Sequence, residues 1–265
     1  MTETLDVVVI GAGFSGCYQL YRLRQKGFNV RLYDAGAALG GVWHWNCYPG
    51  ARVDSHVPNY EFSMKEIWCD WRWSERFPAW QELRAYFQHV DGRLNLSKDV
   101  RFNSRIVCAE FSEAERLWLL ECEDGHRVRA RYFLSCVGFA SRAYIPDFSG
   151  LGSFKGPCHH TARWPQEGLD FSGSKVGVIG TGASGVQVIQ EASKVAASVT
   201  VFQRTPMIAL PMQQQFYSED QYESWKLEFP EIFRRRDTSG GGLYDINPDR
   251  RAAKDVPEHE LRQRF

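Results

Sequence analysis

The chain has 265 residues, of which 43% are hydrophobic and 24% are charged, as expected for a globular protein with one large or two modest domains. Lysine and arginine together number 32, as do aspartate and glutamate, so the formal net charge at pH 7 is zero. This balance argues against a nucleic acid or an anionic membrane as the partner.

The cysteines and the first residues narrow the class of protein further. The seven cysteines form an odd set with no CxxC pair, which argues against a disulfide framework, a zinc site and a dithiol redox centre. No metal site is therefore predicted. The apolar run near the N-terminus is too short for a signal peptide or a membrane span, and these features predict a cytoplasmic protein.

The first predicted unit is a strand, a glycine-rich turn, a helix and a second strand. The apolar run Leu5–Ile10 predicts a strand buried on both faces, and Val30–Tyr33 predicts a strand that ends at Asp34. The turn has the pattern GxGxxG, with its glycines at Gly11, Gly13 and Gly16. Such glycines permit a tight turn, the approach of a pyrophosphate to the backbone, and helix packing on the strand. The pattern predicts a dinucleotide site in which Asp34 accepts hydrogen bonds from the ribose.

A second unit of the same kind follows. Val176–Ile179 and Val199–Phe202 predict its strands, around a turn with glycines at Gly180, Gly182 and Gly185. Its second strand ends in Gln203, Arg204 and Thr205, with no acid. A carboxylate would repel a 2′-phosphate, whereas a guanidinium can bind it through two parallel hydrogen bonds, so this site is predicted to prefer NADPH to NADH. The alternative is that Arg204 is a solvated charge at the strand end.

The motifs of the chain together resemble the N-terminal half of a Baeyer-Villiger monooxygenase, a flavin enzyme that inserts oxygen beside a ketone. The matching stretches between residues 5 and 211 are GAGFSG, GGVWHWNCYPGARVDSH, WRWSERFP, VIGTGASGVQ and VFQRTP. The FxGxxxHxxxWP fingerprint of that family matches at Phe154, Gly156, His160, Trp164 and Pro165.

The resemblance implies an α/β fold with two Rossmann-like domains. Residues 1–145 would belong to the FAD-binding domain and residues 174–211 to the NADPH-binding domain, joined by the fingerprint linker, residues 146–173. Residues 212–265 are polar with a helical pattern and glycines at 240–242, and they would begin a helical insertion. In such enzymes the linker is a moving part, in which His160 and Trp164 help to swing the nicotinamide between two poses. Without the resemblance, His160 would be a satisfied loop histidine, and His159 is predicted to have no role.

The resemblance also implies which residues contact the cofactors. For FAD these are Gly11, Gly13, Ser15, Gly16, Asp34, Val42, Trp43, Trp45, Asp54, Tyr60 and Ile106. For NADPH they are Arg52, Thr181, Gly182, Ala183, Ser184, Gly185, Gln187, Arg204 and Thr205. The catalytic candidates are Asp54, His160 and Trp164. In relatives, the carboxylate at Asp54 orients an arginine that faces the flavin, although an aspartate before a serine is equally typical of a turn or helix cap.

The sequence departs from the family pattern at three places. The acid is Asp34 where glutamate is commoner, Cys47 stands where arginine is often found, and CVGF at residues 136–139 replaces an ATG-type sequence. The first change shortens the reach to the ribose without removing it, and the others affect the shape of the active site and the hinge. No residue corresponds to the catalytic arginine of the family, which lies downstream of the helical insertion.

The resemblance ends about halfway through the length of such enzymes. Both sheets are then expected to lack their last strands, leaving backbone edges and apolar side chains exposed. A second polypeptide that carries the complementary half, or a homodimer, would cover these surfaces. The other interpretation is a proteolytic or truncated fragment.

The implied function is that of a monooxygenase that uses FAD and NADPH to convert a ketone and oxygen into an ester or lactone. Two alternatives remain open, a flavin-dependent N- or S-monooxygenase and a nucleotide-binding module without catalysis. A disulfide reductase is disfavoured by the absence of CxxC.

Overall fold

A computed structural model describes residues 3–245 and 251–264. The described residues divide into two compact units. The first comprises the described residues up to Val53 together with Pro78–Gln213, and the second comprises Asp54–Phe77 together with the described residues from Gln214 onwards.

The elements follow the predicted alternation of strands and helices. The strands are β1 (Glu3–Ile10), β2 (Val30–Tyr33), β3 (Val100–Arg101), β4 (Ile106–Ser112), β5 (Leu117–Cys122), β6 (Arg127–Ser135), β7 (Lys175–Ile179) and β8 (Ser198–Phe202). The α-helices are α1 (Phe14–Gln25), α2 (Val42–Trp45), α3 (Lys65–Trp68), α4 (Trp80–Leu94), α5 (Ala183–Val195), α6 (Glu219–Lys226), α7 (Phe229–Thr238) and α8 (Glu258–Arg264).

The first unit contains a six-stranded sheet with the order β3-β2-β1-β6-β5-β4. Strand β1 runs parallel to both β2 and β6, and β3 is parallel to β2, whereas β4, β5 and β6 form an antiparallel meander. The apolar run of β1 is in the middle of this sheet, where Val7, Val8 and Val9 are buried. This confirms the strand predicted for Leu5–Ile10, and the structure extends it back to Glu3 because residues 3–5 also pair with β6.

The second glycine-rich turn belongs to a small parallel sheet in the same unit. Strands β7 and β8 pair in parallel and are connected by α5. Helix α5 buries Gln187, Val188 and Ala192. Each strand begins one residue before its predicted run and ends at the predicted residue.

Apolar side chains are exposed on the first unit in two stretches. One follows β6 and the other follows β8, and the side chains are Val137, Phe139, Tyr144, Ile145, Phe148, Leu151, Phe154, Met207, Ile208 and Leu210. Ile179 and Phe202, at the ends of the two-stranded sheet, are also exposed. The expectation of uncovered apolar side chains agrees with these exposures.

The second unit is built on aromatic packing. Phe229 and Tyr222 are fully buried, and the Phe229 ring lies 5.4 Å from Trp225 and 5.5 Å from Phe233 between ring centroids. Helices α6 and α7 confirm the helical pattern predicted after residue 211, and the glycines at 240–242 follow α7. Residues 246–250 and 265 of the predicted insertion, like residues 1–2 of the predicted FAD-binding domain, lie outside the described residues.

One buried and one half-buried titratable side chain also lie in the second unit. Burial raises the pKa of Glu61 to about 8, and its Oε2 atom accepts a hydrogen bond from Trp73 Nε1 at 3.1 Å. Burial lowers the pKa of His56 to about 4, and its Nε2 and Nδ1 atoms lie 2.7 Å and 2.9 Å from the hydroxyls of Tyr217 and Tyr244. Both side chains are thus largely uncharged at neutral pH. The two contacts of His56 with the tyrosines join residues 54–77 to the segment after residue 214. The predicted domain boundaries do not group these two segments.

Candidate dinucleotide-binding sites

The first glycine-rich turn connects β1 to α1 and has room for glycine alone at two positions. Gly11 has a φ of +102°, and a Cβ atom there would lie 2.4 Å from the Cys136 carbonyl oxygen. A Cβ atom on Gly16 would lie 1.7 Å from the Gly11 carbonyl oxygen. The Gly11 amide donates to the Tyr33 carbonyl at 2.9 Å, which ties the turn to β2. The roles predicted for these two glycines in the turn and in helix packing agree with this geometry.

The start of α1 is suited to an anion. Its N-cap is Gly13, in an extended conformation, and no side chain caps the helix there. The amides of a first helical turn lack partners within the helix and carry the positive end of its dipole, so a phosphate can take the place of the cap. Gly41 approaches closely on the other side, because its Cβ would lie 2.7 Å from the Gly13 Cα atom. A narrow, side-chain-free cradle of this kind fits a dinucleotide pyrophosphate.

Asp34 stands at the end of β2, as predicted, and is only 9% exposed. Its Oδ2 atom accepts from the Ala12 amide and its Oδ1 atom from the Gly36 amide, each at 2.6 Å. The carboxylate thus fastens the turn as well as standing where the ribose is expected. Each carboxylate oxygen retains a second lone pair, so both can accept a ribose hydroxyl as well.

The remaining residues predicted to contact FAD in the first unit occupy three places. Val42, Trp43 and Trp45 lie on α2, where Trp43 is buried and the other two are exposed. Ser15 lies in the first turn of α1, with its Oγ atom 3.4 Å from Cys136 Sγ. Ile106 begins β4, so the predicted strand position is correct. The cofactor contacts of these residues stay predictions.

Asp54 and Tyr60 belong to the second unit. The Asp54 side chain is exposed, whereas a carboxylate that depends on a paired arginine is expected to be buried. A solvated carboxylate keeps its hydration and needs no such partner. The chain bends at Asp54 and Ser55 and no helix begins there, so of the two capping alternatives the structure favours the turn.

The second glycine-rich turn repeats the geometry of the first. Gly180 has a φ of +99°, and its amide donates to the Phe202 carbonyl at 2.9 Å. A Cβ atom on Gly185 would lie 2.3 Å from the Gly180 carbonyl oxygen. The N-cap of α5 is Gly182, again extended and without a capping side chain. This second cradle also fits a pyrophosphate at a helix N-terminus.

The residues predicted to contact NADPH around the second turn differ in their positions and contacts. Arg204 and Thr205 are exposed just beyond the end of β8, while Thr181 Oγ1 accepts from Gln203 Nε2 at 2.8 Å. Ala183 and Ser184 form the first turn of α5. An exposed guanidinium beside the cradle is free to reach a 2′-phosphate, which agrees with the predicted preference for NADPH without testing it.

Gln187 takes part in an internal contact that the sequence did not reveal. It is buried, accepts from the Tyr48 hydroxyl at 2.8 Å through Oε1, and donates from Nε2 to the Arg52 carbonyl at 3.1 Å. The Tyr48 hydroxyl also lies 3.0 Å from Ser184 Oγ. Tyr48 thus holds α5 to the segment after α2. The YPG triplet at residues 48–50 is a turn signal, but its partner 139 residues away leaves no local trace.

The linker histidine and tryptophan have different surroundings. His160 precedes a short 3-10 turn, Thr161–Arg163, and its Nδ1 atom accepts from the Ala162 amide at 3.1 Å, a local cap. Trp164 packs on the buried cluster of Tyr48, Ala51 and Val188. The ring that lies beside Trp164 is that of His159, at 5.8 Å between centroids, although the sequence assigned His159 no role.

The described residues contain neither a cluster of side chains that could hold a metal ion nor a helix long and apolar enough to cross a membrane. What they do contain is two βαβ units with phosphate cradles, the first ending in an acid and the second in an arginine. This arrangement defines a class of proteins that bind two dinucleotides. The chain belongs to the flavin-binding monooxygenase-like family, because the sequence model of that family matches residues 4–219.

Individual relatives agree with this assignment. The chain is 48% identical over 236 residues to cyclopentanone 1,2-monooxygenase from Comamonas sp. (strain NCIMB 9872), covering 89% of this chain and 43% of that protein. It is 40% identical over 230 residues to the phenazine N-monooxygenase PhzNO1 from Lysobacter antibioticus, covering 86% of this chain and 42% of the relative.

Solved structures agree as well. A crystal structure of OTEMO in complex with FAD and NADP superposes with a TM-score of 0.93 at 37% identity, over 100% of this chain and 51% of the other. The resemblance drawn from the motifs is confirmed. The chain spans about half the length of the proteins that it matches.

Proposed function

We propose that the chain is the dinucleotide-binding half of a monooxygenase that uses FAD and NADPH to insert one oxygen atom beside a ketone, giving an ester or a lactone. The observation that carries the proposal is the pair of cradles with opposite strand ends, Asp34 at the first and Arg204 at the second. The relative that acts on cyclopentanone supports a ketone as the substrate and oxygen as the co-substrate. Seven free cysteines are in keeping with a reducing, cytoplasmic location.

We assign FAD to the first cradle and NADPH to the second. In the first, the bare start of α1 would bind the diphosphate, Asp34 the ribose, and the α2 residues would line the ring system. In the second, the start of α5 would bind the diphosphate and Arg204 the 2′-phosphate. Bound FAD would supply the redox chemistry. The chain's own part is to orient both nucleotides and exclude water around them.

The linker would couple the two sites. Trp164 packs on Tyr48, and the Tyr48 hydroxyl is hydrogen-bonded to Gln187 and Ser184 of α5. A displacement of the linker would therefore also displace the start of α5. We assign Trp164 to the movement of the nicotinamide on this basis, and His160 with it as a member of the same fingerprint. We assign Asp54 to the orientation of an arginine facing the flavin, a role that its exposed carboxylate would take up only once that arginine is in place.

The remaining half is supplied by a second polypeptide in this proposal. The exposed apolar stretches after β6 and β8 support it, because large exposed apolar surfaces are typical of sites that bind another protein. A homodimer would also cover them, but it would not add the arginine for which this sequence has no counterpart.

The test is to purify the chain with its complementary half and to follow NADPH. We expect a yellow complex of two chains whose NADPH consumption increases on addition of cyclopentanone, with a lactone as the product. A colourless monomer would favour the nucleotide-binding module instead. Native mass spectrometry separates the two-chain complex from a homodimer.

A second candidate function is flavin-dependent N-oxygenation. The similarity to a phenazine N-monooxygenase favours it, since that relative matches over nearly the same share of the chain. The same complex given phenazine in place of cyclopentanone distinguishes the two. If phenazine increases NADPH consumption and gives an N-oxide while cyclopentanone does not, the second candidate would be established and the first excluded.

The nicotinamide preference is tested by Arg204→Ala. We expect the dissociation constant for NADPH to rise about 10- to 100-fold, because a charge-assisted bond to the 2′-phosphate is lost, while that for NADH changes by less than about twofold. Fluorescence titration of both nucleotides measures this. Arg127→Ala, which removes the exposed arginine that begins β6, should change neither constant. Equal losses for both nucleotides would contradict the assignment.

A further inference from the structure

We propose that Arg84 on α4 is a positioning residue that fastens the end of the linker to the segment facing the flavin. The two parts are the α2 segment, residues 42–48, and the linker end, residues 164–168. The role for the flavin rests on the proposed function, but the fastening itself is a property of this chain.

The contacts of Arg84 converge on these two parts. Its Nε atom donates to the Trp43 carbonyl at 3.0 Å, and its Nη2 atom donates to the His44 carbonyl and to Gln166 Oε1, the latter at 2.6 Å. Gln166 Nε2 in turn donates to the same His44 carbonyl at 3.1 Å. One guanidinium thus bonds to two carbonyls of α2 and to one side chain of the linker end.

Helix α2 depends on such an outside partner. It has four residues, too few for a helix to be stable alone, and the Trp43 and His44 carbonyls lie in its last turn, where a helix has no internal donors left. Arg84 supplies these donors from a long helix, and its guanidinium carbon lies 4.3 Å from the centre of the Trp80 ring, which holds the side chain in place. The short helix is therefore positioned by α4.

The linker end has a second, weaker attachment to the same segment. The Cys47 thiol lies 3.6 Å and 3.7 Å from the carbonyl oxygens of Pro165 and Trp164. This thiol contact is a weak hydrogen bond, whereas the arginine contact is charge-assisted. Arg84 and Gln166 are consequently the main hydrogen-bonded connection between the linker end and the carbonyls of α2, in addition to the packing of Trp164 on Tyr48.

The planar fork of arginine is required by this geometry. Donors on Nε and Nη2 are used at once in different directions while the plane rests on an indole ring. A lysine is a point charge that cannot reproduce this set, so Arg84→Lys is expected to behave like a loss of function. Trp43 and Trp45 lie on α2, which Arg84 bonds to the linker end. Losing Arg84 would therefore make both the flavin-facing segment and the linker end more mobile.

The test is hydrogen exchange of the purified protein, read by mass spectrometry at short times and without added cofactor. The amides of Arg163 and Gly168 report on the linker, through bonds to the carbonyls of His160 and Pro165, and that of Asn46 reports on α2. In Arg84→Gln and Arg84→Lys we expect exchange in both regions to be about 10- to 100-fold faster, with β1 and β6 unchanged.

Two matched variants sharpen the result. Gln166→Ala should accelerate exchange in the linker end alone, because Arg84 still bonds the carbonyls of α2. Arg22→Gln removes an exposed helix arginine bonded within its own helix, and should change nothing.

Unchanged exchange in Arg84→Gln, or wild-type protection in Arg84→Lys, would overturn the proposal. Equal acceleration over the whole sheet would also overturn it, because that reports a general loss of stability. Since no cofactor is added, a failure of the proposed monooxygenase function would leave this result standing.

Discussion

Replacing Gly16 with alanine is expected to abolish tight flavin binding and to lower the melting temperature by about 5–10 °C. Two effects oppose each other. Alanine is favoured over glycine inside a helix by about 1 kcal/mol. The added Cβ, however, would lie 1.7 Å from the Gly11 carbonyl oxygen and 3.0 Å from the Gly11 carbonyl carbon. Both atoms are backbone, so the clash can be relieved only by moving the turn.

The clash should prevail because overpacking typically costs about 1–3 kcal/mol, and more where the neighbours cannot move. Opening the turn displaces the amides at the start of α1, and we expect a flavin affinity about 100-fold lower, which corresponds to about 3 kcal/mol. Release of FAD, followed by absorbance, and thermal unfolding without added flavin measure the two consequences separately.

The matched control is Gly92→Ala in α4. That glycine is also inside a helix, but nothing lies within 4 Å of a Cβ placed on it. This variant should be more stable than wild type by about 0.5–1 kcal/mol and should bind flavin normally. If Gly16→Ala behaved like Gly92→Ala, the first turn would not be the tightly packed cradle described above.

The sequence predicted those parts of the fold that depend on neighbouring residues. The run Val30–Tyr33 is a strand with the predicted bounds, because three apolar positions out of four before an acid leave few alternatives. The glycine positions were likewise predictable, since a turn and the helix that follows it constrain each other over six residues. Strands β4, β5 and β6 were harder to see. Strand β4 is largely exposed, so its residues lack the alternation that marks a half-buried strand.

The long-range contacts of the candidate sites could not be read from the sequence. Tyr48 and Gln187 are 139 residues apart, and Arg84 and Gln166 are 82 apart, so no spacing rule connects them. Composition could not reveal the second unit either. No spacing in the sequence shows that His56 meets two tyrosines from beyond residue 214.

Asp34→Asn is the second substitution with a large expected effect. The carboxylate accepts the amides of Ala12 and Gly36 through different oxygens, each at 2.6 Å, in a site that is 9% exposed. An asparagine has one acceptor oxygen and one amino group, so one of the two amides would face a donor instead of an acceptor. A buried donor without a partner costs about 1–3 kcal/mol. We expect unfolding free energy to fall by that amount.

The flavin affinity should fall as well as the stability. Asp34→Asn changes both the turn that holds the diphosphate and the group that is expected to hold the ribose, so we expect the dissociation constant for FAD to rise about 100-fold. Chemical unfolding without flavin and a titration with FAD distinguish the two contributions.

Asp34→Glu serves as the control for the charge. It retains two acceptor oxygens and adds one methylene group, and glutamate is the commoner acid at this position in the family that the motifs resemble. We expect it to bind FAD within about tenfold of wild type, because a longer side chain can still reach the ribose while the two amides shift to follow it. An Asp34→Asn protein with wild-type stability would mean that the two short bonds do not hold the turn. Normal FAD affinity in the same variant would place the flavin elsewhere.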